Sequence, residues 1–335
     1  MTALNPELQD LKQEEATTKR KTPFMETVDN LRRSTSAKIG FFIIVFHVLL
    51  ALLSPYITGA MRQDPFTREA GRNQESSISH YSSCALSVFG IGAHDCVRPE
   101  KYTSGMQHWF GGDSQGRDVF ARTLLGGRTL LTVTIFGTTM AMLWGSFVGI
   151  MLGFLGGRAD EIMMRLVDAF LAIPWLLFLL LIVGIVGTDP WIQMLTLGFF
   201  YGIPVIRVAR AATQDYVTRE FVLAARARGE KKITVMLREL LPNVLDVLLV
   251  EGAMRWSWML LAFISLSFLG FGVPPSNART DWGLMISQSR SILQLQPWAT
   301  FGPILFLSSL IVGINLFADA LAKALGLDRS QGAPV

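Results

Sequence analysis

The chain has 335 residues, 50% hydrophobic and only 17% charged, with a formal net charge of +4. A soluble domain carries nearer a quarter charged residues, so one or two ordinary globular domains are excluded. The basic residues are scattered among loops without interleaved aromatics, which excludes a nucleic-acid groove.

Residues 1–38 are polar and mixed in charge, with no short apolar core and no small-residue cleavage site. They read as a cytoplasmic tail, and the first apolar segment as an uncleaved anchor. Six uncharged or nearly uncharged blocks approach the roughly 20 residues that a helix needs to cross a bilayer. They cover 39–57, 130–155, 169–187, 191–206, a stretch within 247–273, and 298–316. The expected fold is therefore all-α, a polytopic membrane helix bundle of about six transmembrane helices. The fourth block is interrupted by Gly202 and Pro204, and its helix is expected to run on through Arg207 to Ala212. His47 in the first block reads as a helix-packing or interfacial residue.

Lys and Arg cluster in the tail (Lys19, Arg20, Lys21, Arg32, Arg33, Lys38) and between blocks four and five. With six spans, the positive-inside rule places both termini and the 207–242 connection in the cytoplasm of a prokaryotic plasma membrane. Residues 58–129 then form an extracytoplasmic loop with an interfacial helix. Residues 130–321 form a five-helix core with a cytoplasmic loop at 213–242, and 322–335 a second tail. Blocks one to three do not echo four to six, which argues against an inverted-repeat secondary transporter.

The 213–242 segment is the most informative. Residues 218–229 predict a short helix in which Phe221, Ala224 and Ala225 share a mostly small face, ended by Gly229. Ile233, Met236, Leu237, Leu240 and Leu241 predict a second helix, broken by Pro242 before block five. An apolar stripe of this kind suits either lipid or protein. Leu223-Ala224-Ala225, Gly229 and Leu241-Pro242 resemble, in spacing, the EAA loop of ABC importer permeases. The resemblance implies a coupling helix that docks into a cytoplasmic ATPase. Leu223 stands where the family usually has Glu, and Glu239 where it often has an apolar residue.

The segment His108-Trp109-Phe110-Gly111-Gly112-Asp113-Ser114-Gln115-Gly116-Arg117-Asp118-Val119 resembles the signature of the dipeptide, oligopeptide and nickel branch, with Gly112 for the usual Thr. Gly111 and Gly116 permit tight turns, and Asp118 can favour a helix N-terminus. We read Gly111, Asp113, Gly116, Arg117 and Asp118 as scaffold rather than as a contact for substrate. Val119, Phe120, Thr123 and Leu124 form the stripe of the interfacial helix. The likeness continues through Gly156-Gly157-Arg158-Ala159-Asp160, Ile173-Pro174, residues 265–270, Pro274-Pro275, Trp282-Gly283, Asn315-Leu316 and Asp319. It covers roughly residues 104–328, with Phe263 where the branch often has Glu.

Glu251 and Arg255, at i and i+4, read either as a mutual ion pair near the cytoplasmic interface or as groups on the translocation path. Arg165 and Asp168 are expected to pair with each other. Cys84 and Cys96 are too few for a disulfide framework and lack metal-ligand spacing. If their loop is extracytoplasmic, the compartment permits a disulfide, and whether they pair stays open.

There is no phosphate-binding G-x-x-x-x-G-K-[ST] run and no H-E-x-x-H, so the chain is not expected to be an enzyme or to hold a metal or cofactor. The resemblance implies a type I ABC importer permease. Its expected partners are a second homologous permease, two cytoplasmic ATPase subunits, an extracytoplasmic solute-binding protein and membrane lipid. The alternatives are an ion- or proton-coupled secondary transporter, which should carry unpaired intramembrane acids, and a membrane scaffold or receptor. Peptides lead as substrate on resemblance, with nickel chelates and sugar oligomers open.

Overall fold

The structure, a computed structural model, describes residues 23–60, 109–272 and 280–327. Among these, regular structure is helical throughout, save one bridging pair, Gly112–Asp118. Helix α1 covers Pro23–Arg33 and α2 Thr35–Ala60. Helix α3 covers Val119–Leu155, α4 Gly157–Ala172, α5 Trp175–Val186 and α6 Pro190–Val217. Helix α7 covers Glu220–Ala227 and α8 the single turn Lys232–Thr234. Helix α9 covers Leu241–Leu266, α10 Trp282–Ser289 and α11 Pro297–Ala324.

Helices α2, α3, α6 and α11 are long and apolar enough to cross a membrane, and the bent pair α4–α5 passes as one broken span. Helix α9 has 26 residues, about 39 Å at the α-helical rise. It carries Asp246, Glu251 and Arg255, and composition alone does not place it among the spans. It packs lengthwise on α3, which is one of those spans. Met142 meets Gly252, Thr138 meets Met259, and Thr134 meets Trp256, so α9 runs antiparallel to α3 along its length.

Direction alternates along the chain. Gly137 lies against Met194, Gly145 against Gly202, and Gly153 against Thr213, so α3 and α6 run parallel. A parallel pair needs a return leg between its members, and α4–α5 provides it. Helix α2 runs antiparallel to α11: Gly40 abuts Gly313 and Phe317, and His47 bonds Ser309. The start of α2 and the end of α11 therefore lie together.

The α3–α6 contact rests on small residues. A Cβ added at Gly149 would stand 2.6 Å from both Ala209 Cβ and the Ile206 carbonyl oxygen. Lipid tails are as apolar as leucine, so close backbone approach, not hydrophobic exclusion, holds such helices together.

Several helix limits differ from the sequence expectation. The expected interfacial helix is the first part of α3: Asp118 caps it, accepting from Ala121 N–H at 2.6 Å, and nothing breaks the helix before residue 130. The third block is not one helix. Ile173 and Pro174 both take extended ψ values, and α4 and α5 meet at 87°. A proline disfavours the α conformation of the residue before it. Helix α6 continues past Ala212 to Val217, with Pro204 inside it. Pro242 does not break the chain before α9; it sits in the first turn, after a π turn over Val235–Leu240. Arg165 pairs with Glu161 at 2.7 Å, and Asp168 pairs with Arg207 across to α6. The expected Arg165–Asp168 pair is thus replaced by an i, i+4 partner and a partner from another helix.

Candidate functional sites

Helix α7 lies where α3 and α6 end and α9 begins. Val222 and Ala225 are buried against Phe154 of α3, Ala209 and Ala212 of α6, and Val244 and Leu248 of α9. Phe221, Leu223 and Ala224 face outward and are exposed. The expected common face of Phe221, Ala224 and Ala225 is therefore divided: Ala225 turns inward with Val222, three residues before it. What remains outside is an apolar surface of modest size.

Gly229 ends the helix with φ +74°. Its N–H donates to Arg226 O at 3.0 Å and that of Glu230 to Ala225 O at 3.3 Å, the double closure of a Schellman cap. Nothing stands within 4 Å of a Cβ built there, so only the backbone conformation requires glycine.

The second expected stripe is also divided. Met236 and Leu240 are buried, whereas Ile233 and Leu237 are exposed. The π turn is the reason: Leu241 N–H donates to Met236 O, five residues back, and the extra residue rotates the face. Leu241 packs at the edge of the cluster that holds Val222 and Ala225, while Pro242 is exposed.

Arg226 is a contributor that sequence reasoning read only as a topology charge. Its guanidinium lies 4.3 Å from the Phe154 ring centroid and donates to Phe154 O at 3.3 Å, tying α7 to the end of α3. The connection carries further charge pairs. Arg210 grips Asp160 through two bonds of 2.5 and 2.6 Å, and Arg228 donates to Glu230.

The signature segment forms a compact turn centred on Asp113. Gly111 and Gly116 take φ of +72° and +76°. Asp113 Oδ1 accepts from Gln115 N–H at 2.8 Å and Arg117 N–H at 3.0 Å. Oδ2 accepts from Arg117 Nε at 2.8 Å and from Arg122 Nη1. Burial pushes this carboxyl up, but the Arg117 hydrogen bonds and the charges of Arg122 and Arg117 outweigh it. The net position is below the usual carboxylate range.

Arg117 and Arg122 carry the turn onward to α10, through Gln288 Oε1 and Thr280 Oγ1, both at 3.1 Å. Trp282 Nε1 donates to Thr123 O at 2.7 Å, with its indole against Gly126 and Gly127. Asp281 accepts from Leu284 N–H at 2.9 Å and from the Ser267 hydroxyl. Burial raises its carboxyl above the ordinary value despite these bonds and the Arg122 charge. Asp113 and Arg117, with Arg122, thus bond the turn to the start of α3 and to the segment around α10.

Glu251 and Arg255 pair along α9, Oε1 to Nε, at 2.5 Å. Arg255 lies 14 positions after Leu241 in a helix of 26 residues, near its middle, because α9 starts earlier than the apolar block suggested. His47 is buried, its Nδ1 within 2.8 Å of Ile43 O and its Nε2 within 3.1 Å of Ser309 Oγ, in keeping with a packing role. Among the described residues no cluster of His, Cys, Asp or Glu could hold a metal ion. Cys84 and Cys96, with Pro274 and Pro275, lie outside the described residues.

The chain is similar to known proteins. Residues 145–327, more than half of the chain, match the family described as binding-protein-dependent transport system inner membrane component. The chain is 28% identical over 91% of its length to a dipeptide transport system permease protein of Alkalihalophilus pseudofirmus, covering 90% of that protein. It is 29% identical to an oligopeptide transport system permease protein of Bacillus subtilis, over 88% of this chain and 86% of that one. A glutathione transport system permease protein of Pectobacterium atrosepticum is 32% identical, over 65% of this chain and 72% of the relative. The chain belongs to the family of binding-protein-dependent transport system inner membrane components, and is a multi-pass permease subunit of an ABC importer.

Proposed function

We propose that this permease forms half of a translocation pathway for short peptides and is driven through α7. The observation that carries the coupling role is the outward face of α7. Phe221, Leu223 and Ala224 are exposed on a short helix whose other side is anchored to three long helices. A surface held this rigidly transmits a push to the ends of α3 and α6 and the start of α9 together.

In this reading two cytoplasmic ATPase subunits grip α7 and its counterpart in a second, homologous permease chain. An extracytoplasmic binding protein delivers the solute to the opposite face. ATP-driven closure brings the two α7 helices together and turns the paired bundles from inward-facing to outward-facing. Peptides are favoured because relatives over most of this chain are named for dipeptide and oligopeptide transport.

The basic residues around α7 support a position for it on the cytoplasmic side of the prokaryotic inner membrane. The start of α2 and the end of α11 lie together, and six alternating crossings, in this reading, carry them to the same end as α7. Both termini are then cytoplasmic. Residues 1–38 and 322–335 are tails, 58–129 lie largely outside, and 213–242 are the coupling loop of the core. Glu251 is paired with Arg255, which speaks against the unpaired acid of a proton-coupled carrier.

Affinity capture of the intact complex from native membranes tests the reading. Two ATPase subunits and a second permease should co-purify. Peptide uptake should need ATP and the binding protein. Capture of the chain without any ATPase would overturn it.

A further inference from the structure

The break at Pro174 has a spatial consequence. Helix α5 leaves α4 at 87°, and a cavity of about 450 Å³ opens between the bend, α6 and α9. Its wall is strongly aromatic, with Trp175, Phe178, Phe200, Tyr201 and Trp258. Arg255 is the one charged side chain among the described residues that line it.

Arg255 stands about 21 Å along α9 from Leu241 at 1.5 Å per residue, too deep to place its head at an interface with ease. A charged side chain at such depth costs several kcal/mol facing lipid, and such residues face a bundle interior or a solvated path. Glu251 takes only Nε; among the described residues Nη1 and Nη2 donate to no hydrogen-bond partner and are not sealed from solvent. The guanidinium edge that binds a carboxylate with two parallel bonds is therefore free. Tyr201 donates its hydroxyl to Trp258 O at 3.2 Å, which pins the aromatic wall between α6 and α9.

We propose that this cavity is a station on the transport path at which Arg255 holds the free carboxylate of a short peptide while an apolar side chain lies on the aromatic wall. The inference rests on the reading of the chain as a peptide permease. Its walls belong to four helices, so a rotation of α6 or α9 against the α4–α5 bend changes the cavity and releases the carboxylate. Glu251 keeps the arginine oriented and partly neutralised when no solute is present.

The test uses the intact transporter with its binding protein in liposomes. Uptake of trileucine is compared with uptake of trileucine amide. The ratio of the two rates is the readout, because any preference of the binding protein is common to every arm. The double variant E251Q/R255Q leaves no unpaired charge in the span. It should lower the acid-to-amide ratio about tenfold, as loss of a bidentate contact implies, while binding-protein-stimulated ATP hydrolysis persists. E251Q alone, which keeps Arg255, should lower the ratio less than the double variant does. An unchanged ratio in the double variant, or a ratio lost equally in E251Q, overturns the role of Arg255 and leaves the peptide reading standing. A wild-type complex that takes up no peptide overturns the peptide reading itself.

Discussion

Arg122, one turn into α3, donates Nη1 to Asp113 in the glycine turn that precedes the helix. The pair closes the turn onto the long helix and, through Thr280, onto the segment that leads into α10. Arg122 is 2% exposed, so loss of Asp113 leaves it a buried charge, whereas loss of Arg122 leaves Asp113 its bonds to Arg117.

Replacement of Asp113 by Asn should therefore destabilise the protein by about 3–5 kcal/mol, the usual cost of removing one member of a buried pair, and Arg122→Leu by less, because Asp113 keeps Arg117. Thermal unfolding of the purified complex measures it. The pH dependence follows from the lowered Asp113 carboxyl. A carboxyl held lower in the folded chain adds stability above its unfolded value, and that stability is lost as pH falls through the folded one. Wild type should hold its junction through the ordinary carboxylate range and loosen only below it. The Asn variant should lack that acid-dependent step.

Gly229 offers a separate test, because its constraint is purely conformational. Gly229→Val puts a β-branched residue at φ +74° and should abolish ATP-coupled uptake while the protein stays inserted. Gly229→Asn, which tolerates this region, should retain most activity. Equal loss in both, or normal uptake in the Val variant, would show that the cap does not set the orientation of α7. Uptake normalised to membrane-inserted protein distinguishes these outcomes.

The exposed face of α7 predicts a different phenotype. Leu223→Lys touches nothing in the core, so unfolding temperature should shift little. Recovery of the ATPase subunits in affinity capture should drop at least about tenfold if Leu223 lies in the centre of the contact. Arg226→Gln should leave capture intact. It should reduce transport per ATP hydrolysed, because α7 loses its tie to Phe154.

The small-residue seam between α3 and α6 predicts loss of the fold. Gly149→Leu would drive side-chain atoms into Ala209 and the Ile206 carbonyl, neither of which can yield. Overpacking of this kind costs about 1–3 kcal/mol or more. The variant should be recovered in membranes at much reduced yield, whereas Gly252→Ala, with only flexible Met142 side-chain atoms beyond 3.5 Å, should be recovered normally.

Much of the fold was legible because lipid imposes a blunt rule: a crossing needs a long run of apolar residues, and four long helices and one bent pair show one. Local chain ends were legible as well. The Asp118 cap and the positive φ of Gly229 depend on one residue and its near neighbours. Proline was not legible. Pro55, Pro204 and Pro303 lie inside continuous helices, whereas the chain turns at Pro174.

Residue spacing alone determined that this protein is a membrane helix bundle with a capped helix between its fourth and fifth crossings. Tertiary packing decided which charges meet, as Asp168 shows by choosing Arg207 on another helix over Arg165 on its own. It decided that Arg255 stands beside an aromatic cavity. Spacing along one helix lists the neighbours within a turn; neighbours across a bundle depend on how closely two backbones approach and where a helix bends. Glycines and a broken span set both here, and their effect appears only when the helices are placed side by side.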